Sequence, residues 1–440
     1  MKISYNYRTI LYYLRNYSAY YCLIAPGLAS AQLPNGAAAP SLLMQPTTCG
    51  EKVKIWAKKY FWQDPVLSKT KREIPDDASW EVKFFLRHRR ILGLLIPLFF
   101  FHFIWWSLAI RYDLFSLFPD RYYLSLTMII GSFVAGATCI GSGAVAFPVM
   151  TLVLRIEAIV ARDMSLMIQS CGMTAATFII FWSKMTLDWN SIIFCTIGSS
   201  FGLIMGLEFF TFLISDEMKK MFFAAVWASF AVALFIADRR KTQKPFDRIQ
   251  NFTVWKALVL VLVGVVGGIF TAMAGSGVDI CCFSVMTLLF TVSERVATPS
   301  SVVMMAANSL LGFYWRQFMI NGISTDAWQY LAVCVPISTI TGPLGSLISS
   351  RWHRQTQACI IYLLEVISLS SWYLIEWPRW QLALANIGLL LFGVIVFVIL
   401  SLVGVWLRNR ESKLAQQRLS TKMKAAHINN GVTVISLCEA

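Results

Sequence analysis

The sequence predicts an all-α polytopic membrane protein with two homologous halves, each containing a helical segment that is broken at glycine. The chain of 440 residues is 57% hydrophobic and 14% charged, whereas soluble domains carry roughly 25% charged residues. Its mean hydropathy is +0.62, and its apolar residues form long runs between short polar connectors, which is typical of membrane-spanning helices. A Gly-Ser-Gly motif interrupts two of these runs.

The apolar runs divide the chain into two membrane halves of similar length. We predict a first half at 91–237 and a second at 255–407, joined by a basic linker at 238–254 and flanked by tails at 1–90 and 408–440. The runs cover residues 91–110, 124–154, 164–182, 190–214, 220–237, 255–290, 298–315, 328–349, 358–376 and 382–407.

The net charge of +15 comes from basic clusters that lie outside the apolar runs. They are KVKIWAKKYF through FLRHRR before Ile91, RRKTQKPFDR from Arg239, and RNRESKLAQQRLSTKMK from Arg408. Basic residues beside membrane spans mark the cytoplasmic side. We therefore predict cytoplasmic tails and a cytoplasmic linker, with the lipid bilayer rather than nucleic acid as the partner.

The first 32 residues form a segment similar to a secretory signal, with a basic start, an apolar patch and Ala29-Ser30-Ala31 at its end. Cleavage there would leave the basic stretch 51–90 outside the cell or organelle, against the charge rule. A cytoplasmic N-terminal tail is therefore the favoured interpretation.

The polar residues of the chain do not suggest an enzyme. Its four histidines are scattered, and its ten cysteines show no C-x-x-C spacing, so we predict no metal site and no cofactor. The sequence contains no G-x-x-x-x-G-K-[ST] loop for direct use of ATP.

The two breaks belong to an internal duplication. FPVMTLVLRIEAIVARDMS from Phe147 aligns on FSVMTLLFTVSERVATPSS from Phe283 with eight identities in nineteen positions. The runs that contain the breaks are also too long for one crossing, since 124–154 would form about 46 Å of helix and 255–290 about 54 Å, against a hydrocarbon core near 30 Å. We therefore predict that each run folds back at its Gly-Ser-Gly motif.

Re-entrant segments would keep all basic clusters on one side of the membrane and give the two halves opposite orientations. This is an inverted repeat, the arrangement used for alternating access. The sequence leaves open whether each broken segment is re-entrant or crosses the membrane completely.

The breaks and the polar residues of the following spans are the predicted substrate site. Half-helix starts offer free amides to an anion, although Gly-Ser-Gly is also explained by tight helix packing. The predicted substrate-binding residues are Gly141, Ser142, Gly143, Gln169, Ser170, Gly275, Ser276, Gly277, Asn308 and Ser309. Asp279 is the candidate for proton coupling, its proton travelling with the anion, and an equally weighted alternative makes it a helix N-cap.

The pattern resembles the TauE/SafE family of membrane permeases, which are known for export of sulfite and of organic anions that contain sulfur. The matching pieces are AGATCIGSGAVAFPVMTLVL with IVARDMSLMIQS, and FTAMAGSGVDICCFSVMTLLF with RVATPSSVVMMAANS. The resemblance covers roughly 124–405 and implies two homologous halves and an anion substrate.

The leading hypothesis is a secondary active transporter of a small anion such as sulfite or an organosulfonate, coupled to protons or sodium ions. Two alternatives remain open from the sequence. In the first, the chain transports neutral or carboxylated metabolites. In the second, it is a membrane receptor or scaffold without transport.

Overall fold

The computed structural model describes residues 79–438 except 139, 241–245, 321, 350–351, 353 and 376–377. The predicted signal-like start and most of the N-terminal tail therefore lie outside the described residues. In the described part, all regular elements are helices. They are α1 (Trp80–Tyr112), α2 (Phe118–Ala137), α3 (Gly143–Pro148), α4 (Ala158–Trp182), α5 (Trp189–Met205), α6 (Asp216–Arg240), α7 (Val254–Ala274), α8 (Val278–Ser284), α9 (Glu294–Phe318), α10 (Thr325–Ser349), α11 (Arg354–Ile375) and α12 (Trp380–Cys438).

Nine helical segments in the described part are long and apolar enough to cross a membrane. They lie in α1, α4, α5, α6, α7, α9, α10, α11 and α12. This confirms the predicted all-α polytopic membrane protein. α1 begins at Trp80, before the first apolar run, and α12 continues without a break past residue 407, where the sequence suggested a tail.

The duplication is visible in the positions of the helices. Helix α4 begins at Ala158 and α9 begins at Glu294, which is 136 residues further on, and both have 25 residues. The π-helical turns after α3 and α8 begin at Val149 and Val285, again 136 residues apart. The same spacing joins Phe147 to Phe283, so the helices follow the register of the sequence alignment.

Each half packs the long helix before its break against a helix of the other half: α2 lies on α10, and α7 lies on α5. Glycine permits both contacts, because a Cβ on Gly345 would meet the backbone of α2 at Ala137 N, 3.0 Å away, and a Cβ on Gly264 would lie 3.0 Å from Ser199 N of α5. Small residues at such crossings let helices approach closely within a membrane. The two halves are therefore interlocked.

The chain folds back on itself at both breaks. A Cβ on Gly267 of α7 would lie 3.2 Å from Cys281 Cβ of α8, although the two residues are 14 positions apart. A Cβ on Gly131 of α2 would likewise lie 3.4 Å from Val145 Cβ of α3, also 14 positions away. A straight helix would separate such residues by about 21 Å. The short helices α3 and α8 thus return along the long helices that precede them.

Helices α4 and α9 lie side by side at the centre and run antiparallel. Asp163 near the start of α4 binds Arg316 near the end of α9, whereas Ser300 near the start of α9 accepts a hydrogen bond from the amide of Asp188, which follows α4. In the most apolar 18-residue stretch of each helix, 72% is buried in α4 and 6% is buried in α12. Helix α12 is therefore exposed at the surface of the molecule, and helix α4 is enclosed by protein.

Contacts between helix ends define two sides of the molecule. On the linker side, Phe246 of the α6–α7 connection pairs with Val292 before α9, and Lys256 at the start of α7 binds Glu411 of α12 at 2.7 Å. On the far side, Arg121 at the start of α2 binds Gln329 at the start of α10. The Asp163 and Arg316 contact also lies on the far side.

Candidate functional site

The two breaks in the chain touch each other at Asp279. The first break (138–142) lies between α2 and α3, and the second break (275–277) lies between α7 and α8. Gly141 N donates to Asp279 Oδ2 at 2.6 Å, and Ser276 Oγ donates to the same oxygen at 3.0 Å. One carboxylate oxygen therefore joins segments that are 138 residues apart in sequence.

Glycine is required at two positions in this contact. Gly275 has a φ of +80°, in the left-handed region, and its amide closes α7 on Thr271 O, a helix end that glycine adopts without steric cost. At Gly141 a Cβ would lie within 2.9 Å of both Asp279 Oδ2 and Ser276 Oγ. Any side chain there would push the two breaks apart.

Helix α4 supplies the side chains that connect the breaks from one face. Gln169 Nε2 donates to Gly275 O at 2.8 Å, and a Cβ on Gly143 would overlap the Gln169 amide. Ser165 lies one turn earlier on α4, and its Cβ would be 2.5 Å from a Cβ on Gly275. The structure therefore brings together Gln169, both Gly-Ser-Gly motifs and Asp279.

Several polar atoms at this contact are buried and have no hydrogen-bond partner among the described residues. They are Ser142 Oγ, Ser165 Oγ, Gln169 Oε1 and Asp279 Oδ1, and each of these residues is at most 1% exposed. Buried polar atoms normally have a partner, because an unpaired one costs about 1–3 kcal/mol. Hydroxyl donors and amide or carboxylate oxygens at one place are suited to a small polar ligand.

The other predicted residues are placed differently. Ser170 Oγ donates to Met167 O and Ser309 Oγ donates to Ala306 O, so both hydroxyls bond within their own helices. Asn308 is fully buried on α9, and both of its side-chain polar atoms are without a partner among the described residues.

In the repeat register, Gln169 and Asn308 occupy neighbouring rather than identical positions. The position 136 residues after Gln169 is Met305, which lies three residues before Asn308.

Asp279 is not the N-cap of α8, which was one of its two expected roles. The N-cap is Gly277, and Asp279 is the second residue of the helix. The carboxylate reaches across to the first break, so it joins the two halves.

A pocket lies beside the first break on the linker side. It is bordered by Thr138 of the first break and by Phe283, one turn after Asp279. Its other lining residues are Leu234, Glu294, Thr298, Gln357, Ala358 and Ile361. Glu294 and Thr298 belong to the first turns of α9, so the pocket leads from the linker side toward the breaks.

Some charged groups have roles that the sequence did not suggest. Arg316 stands at the end of an apolar run, where a lone charge is normally interfacial, yet its side chain is 11% exposed and binds Asp163. Glu208 accepts a hydrogen bond from Trp315 Nε1 at 2.8 Å, which ties α9 to the turn after α5.

The sequence also missed Ser165. Its position four residues before Gln169 was the available signal, since such a spacing puts both side chains on one helix face. Among the described residues, no three His, Cys, Asp or Glu side chains form a group that could hold a metal ion.

Fold and site together define the class of the protein. It is a multi-pass membrane protein in which two homologous halves each bring a broken helix to one buried polar contact, as secondary transporters do. The family model described as sulfite exporter TauE/SafE matches residues 123–371, which is more than half of the chain. The chain therefore belongs to the TauE/SafE family, a family of membrane transporters. The searches of curated proteins and of solved structures found no match.

Proposed function

We propose that the protein is a secondary active transporter of a small oxyanion, such as sulfite or an organosulfonate, and that the anion binds where the two breaks meet. The observation that carries the proposal is the group of buried, unpartnered polar atoms at that contact, on Ser142, Ser165, Gln169 and Asp279. Membership of the TauE/SafE family supports the anion class.

The carboxylate of Asp279 supports coupling to protons. An ionised Asp279 would repel an anion at this site, because two like charges in a poorly solvated place are strongly unfavourable. A protonated Asp279 would instead offer an O–H to the ligand from Oδ1, which has no other partner among the described residues. Proton and anion would then bind together and be carried in the same direction.

The arrangement of the helices supports alternating access by an inverted repeat. Equivalent helices α4 and α9 run antiparallel, as a two-fold axis in the membrane plane would produce. The fold-backs at both breaks fit re-entrant segments. The small pocket on the linker side would mark the side from which the anion reaches the breaks in this conformation.

The first experiment measures transport by the full chain in proteoliposomes. Uptake of sulfite, sulfate and methanesulfonate is recorded with a pH gradient, with a sodium gradient and with neither. We expect saturable uptake of at least one anion that the pH gradient drives. Asp279→Asn should retain binding but lose the response to the pH gradient, since its amide carries no transferable proton.

A serine pair tests the location of the site. Ser142→Ala removes a hydroxyl that has no protein partner among the described residues, so we expect the KM to rise about 5–10-fold, the value of one hydrogen bond of about 1–1.5 kcal/mol. The matched control is Ser284→Ala on α8, a buried serine whose hydroxyl already donates to Ile280 O at 2.6 Å. Equal KM values for the two variants would place the site elsewhere.

The same flux assay distinguishes the alternatives. Uptake of a neutral or carboxylated metabolite without uptake of any sulfur oxyanion would replace the proposed substrate class. Absence of any flux under all gradients would contradict transport itself and favour a receptor or scaffold.

A further inference from the structure

A cluster of three charged side chains lies at the far side of the central helix pair. Asp163 of α4 binds Arg316 of α9 through Nη2 at 2.7 Å and through Nε at 3.0 Å. Arg162 binds the same carboxylate at 2.7 Å and 2.9 Å. The side chains of Arg162, Asp163 and Arg316 are 3%, 1% and 11% exposed. We call these three residues the far-side cluster.

The cluster joins the two homologous halves, because Asp163 belongs to the first and Arg316 to the second. It also lies opposite the pocket. Thr298, which lines the pocket, stands 136 residues after Arg162 and is therefore its repeat equivalent. Along α9, Thr298 and Arg316 are separated by eighteen residues, or about 27 Å. Equivalent positions at the two ends of the molecule thus hold an ionic contact on one side and a pocket on the other.

The cluster contains two guanidinium groups and one carboxylate. Asp216 at the start of α6 adds negative charge near Arg162, but its carboxylate binds Lys219 at 2.9 Å and is 46% exposed. Arginine binds a carboxylate through paired N–H groups, and it binds other planar or tetrahedral oxyanions with the same geometry. The carboxylate of Asp163 therefore occupies a place that suits the oxygens of a substrate anion.

A buried polar face of α4 leads from the cluster to the breaks. Arg162, Ser165 and Gln169 follow each other at spacings of three and four residues, which places them on one side of the helix. The carbonyl oxygen of Arg162 lies 2.9 Å from the position of a Cβ on Gly275, and Ser165 Oγ has no partner among the described residues. From Asp163 to Gln169 the rise along the helix is about 9 Å.

We propose that Arg162 and Arg316 form a second oxyanion site on the far side, which Asp163 fills in this conformation. An anion arriving from the far side replaces the Asp163 carboxylate, and this exchange releases α4 from α9 and opens the path to the breaks. The inference rests on the proposed transport function, since it assigns the entry or exit station of the same substrate.

The test uses a cysteine reporter in the full chain. The Ser165→Cys variant is reconstituted in sealed proteoliposomes with the far side outward. Labelling of the introduced thiol by a membrane-impermeant maleimide is followed by mass spectrometry of the peptide that contains it. Methanesulfonate is the probe, compared with sodium chloride at equal ionic strength. We expect methanesulfonate to raise the labelling rate about tenfold, because it breaks an ion pair that joins two buried helices.

Variants of the cluster separate its role in holding α4 against α9 from its role in binding an anion. In the reporter background, Asp163→Asn should label rapidly without methanesulfonate, and Arg316→Lys should lose the response to methanesulfonate because an ammonium group lacks the paired N–H groups. The matched control is Asp326→Asn, a far-side carboxylate that binds Arg121 at 3.6 Å and is 66% exposed. It should leave the rate and the response unchanged.

Either of two results would overturn the proposal. One is a labelling rate that methanesulfonate does not change in the reporter protein, a measurement that requires no variant of the cluster. The other is slow labelling of a folded Asp163→Asn variant. Labelling needs no net flux. A response to methanesulfonate without uptake would therefore reject transport alone. Uptake without the labelling response would reject the far-side anion site alone.

Discussion

The contact between the two breaks predicts a difference in stability between two substitutions of Asp279. Its Oδ2 accepts hydrogen bonds from Gly141 N and Ser276 Oγ, both in a fully buried setting. Asp279→Ala leaves these two donors unpaired, and each unpaired buried donor costs about 1–3 kcal/mol. Because the serine hydroxyl can rotate to another acceptor, we expect a total loss of about 3 kcal/mol.

Asp279→Asn should cost much less. Its amide oxygen can take the place of Oδ2 and keep both hydrogen bonds, while the NH₂ group takes the place of Oδ1, which has no partner to lose among the described residues. Because both hydrogen bonds are kept, we expect the free energy of unfolding to fall by about 1 kcal/mol or less. The alanine variant should therefore be about 2 kcal/mol less stable than the asparagine variant.

The assay is reversible unfolding of the full chain in detergent micelles, followed by far-ultraviolet circular dichroism. Asp326→Ala and Asp326→Asn form the matched control pair, since this carboxylate is 66% exposed and should give no measurable gap. Equal stability of the alanine and asparagine variants at Asp279 would refute the view that this side chain holds the two breaks together.

Two further predictions concern the packing of the helices and use the same unfolding assay. Gly202→Ala should lower the free energy of unfolding by about 1–3 kcal/mol, because its Cβ would overlap the backbone of Val265 on α7. The control is Gly388→Ala on α12, since nothing lies within 4 Å of the added methyl group. This variant should be neutral or stabilising by up to about 1 kcal/mol. Equal losses of stability in the two variants would contradict the close crossing of α5 and α7. Glu411→Gln should cost about 1 kcal/mol, because Lys256 loses its ion pair at 2.7 Å with a partly exposed partner; an unchanged stability would show that this pair does not fix α12 to α7.

The spacing of the duplicated segments shows how much of the fold can be predicted from local sequence patterns. The alignment of Phe147 on Phe283 already contains the 136-residue spacing that the helices follow. Applied further along the chain, the same spacing places Met305, and not Asn308, at the position that corresponds to Gln169. The polar residues of the two spans are therefore offset by three residues, which is about one turn of helix.

The charged residues at helix ends show what local patterns miss. Asp163 and Arg316 stand at the edges of apolar runs, where a lone charge is normally solvated or interfacial. Their pairing depends on the antiparallel contact of α4 with α9, which brings the start of one helix beside the end of the other. The two residues are far apart in the sequence, so only the packed structure could show that they form a cluster.

Hydropathy, duplication and the two Gly-Ser-Gly breaks were determined by the sequence alone. They are local properties, because the bilayer requires long apolar helices and a repeated segment repeats its breaks. The tertiary structure decided that the breaks meet at Asp279, that Gln169 and Ser165 reach them from α4, and that Ser170 and Ser309 bond within their own helices. These contacts depend on how the two halves interlock, and the glycines at the crossings allow that approach only once all the helices are packed.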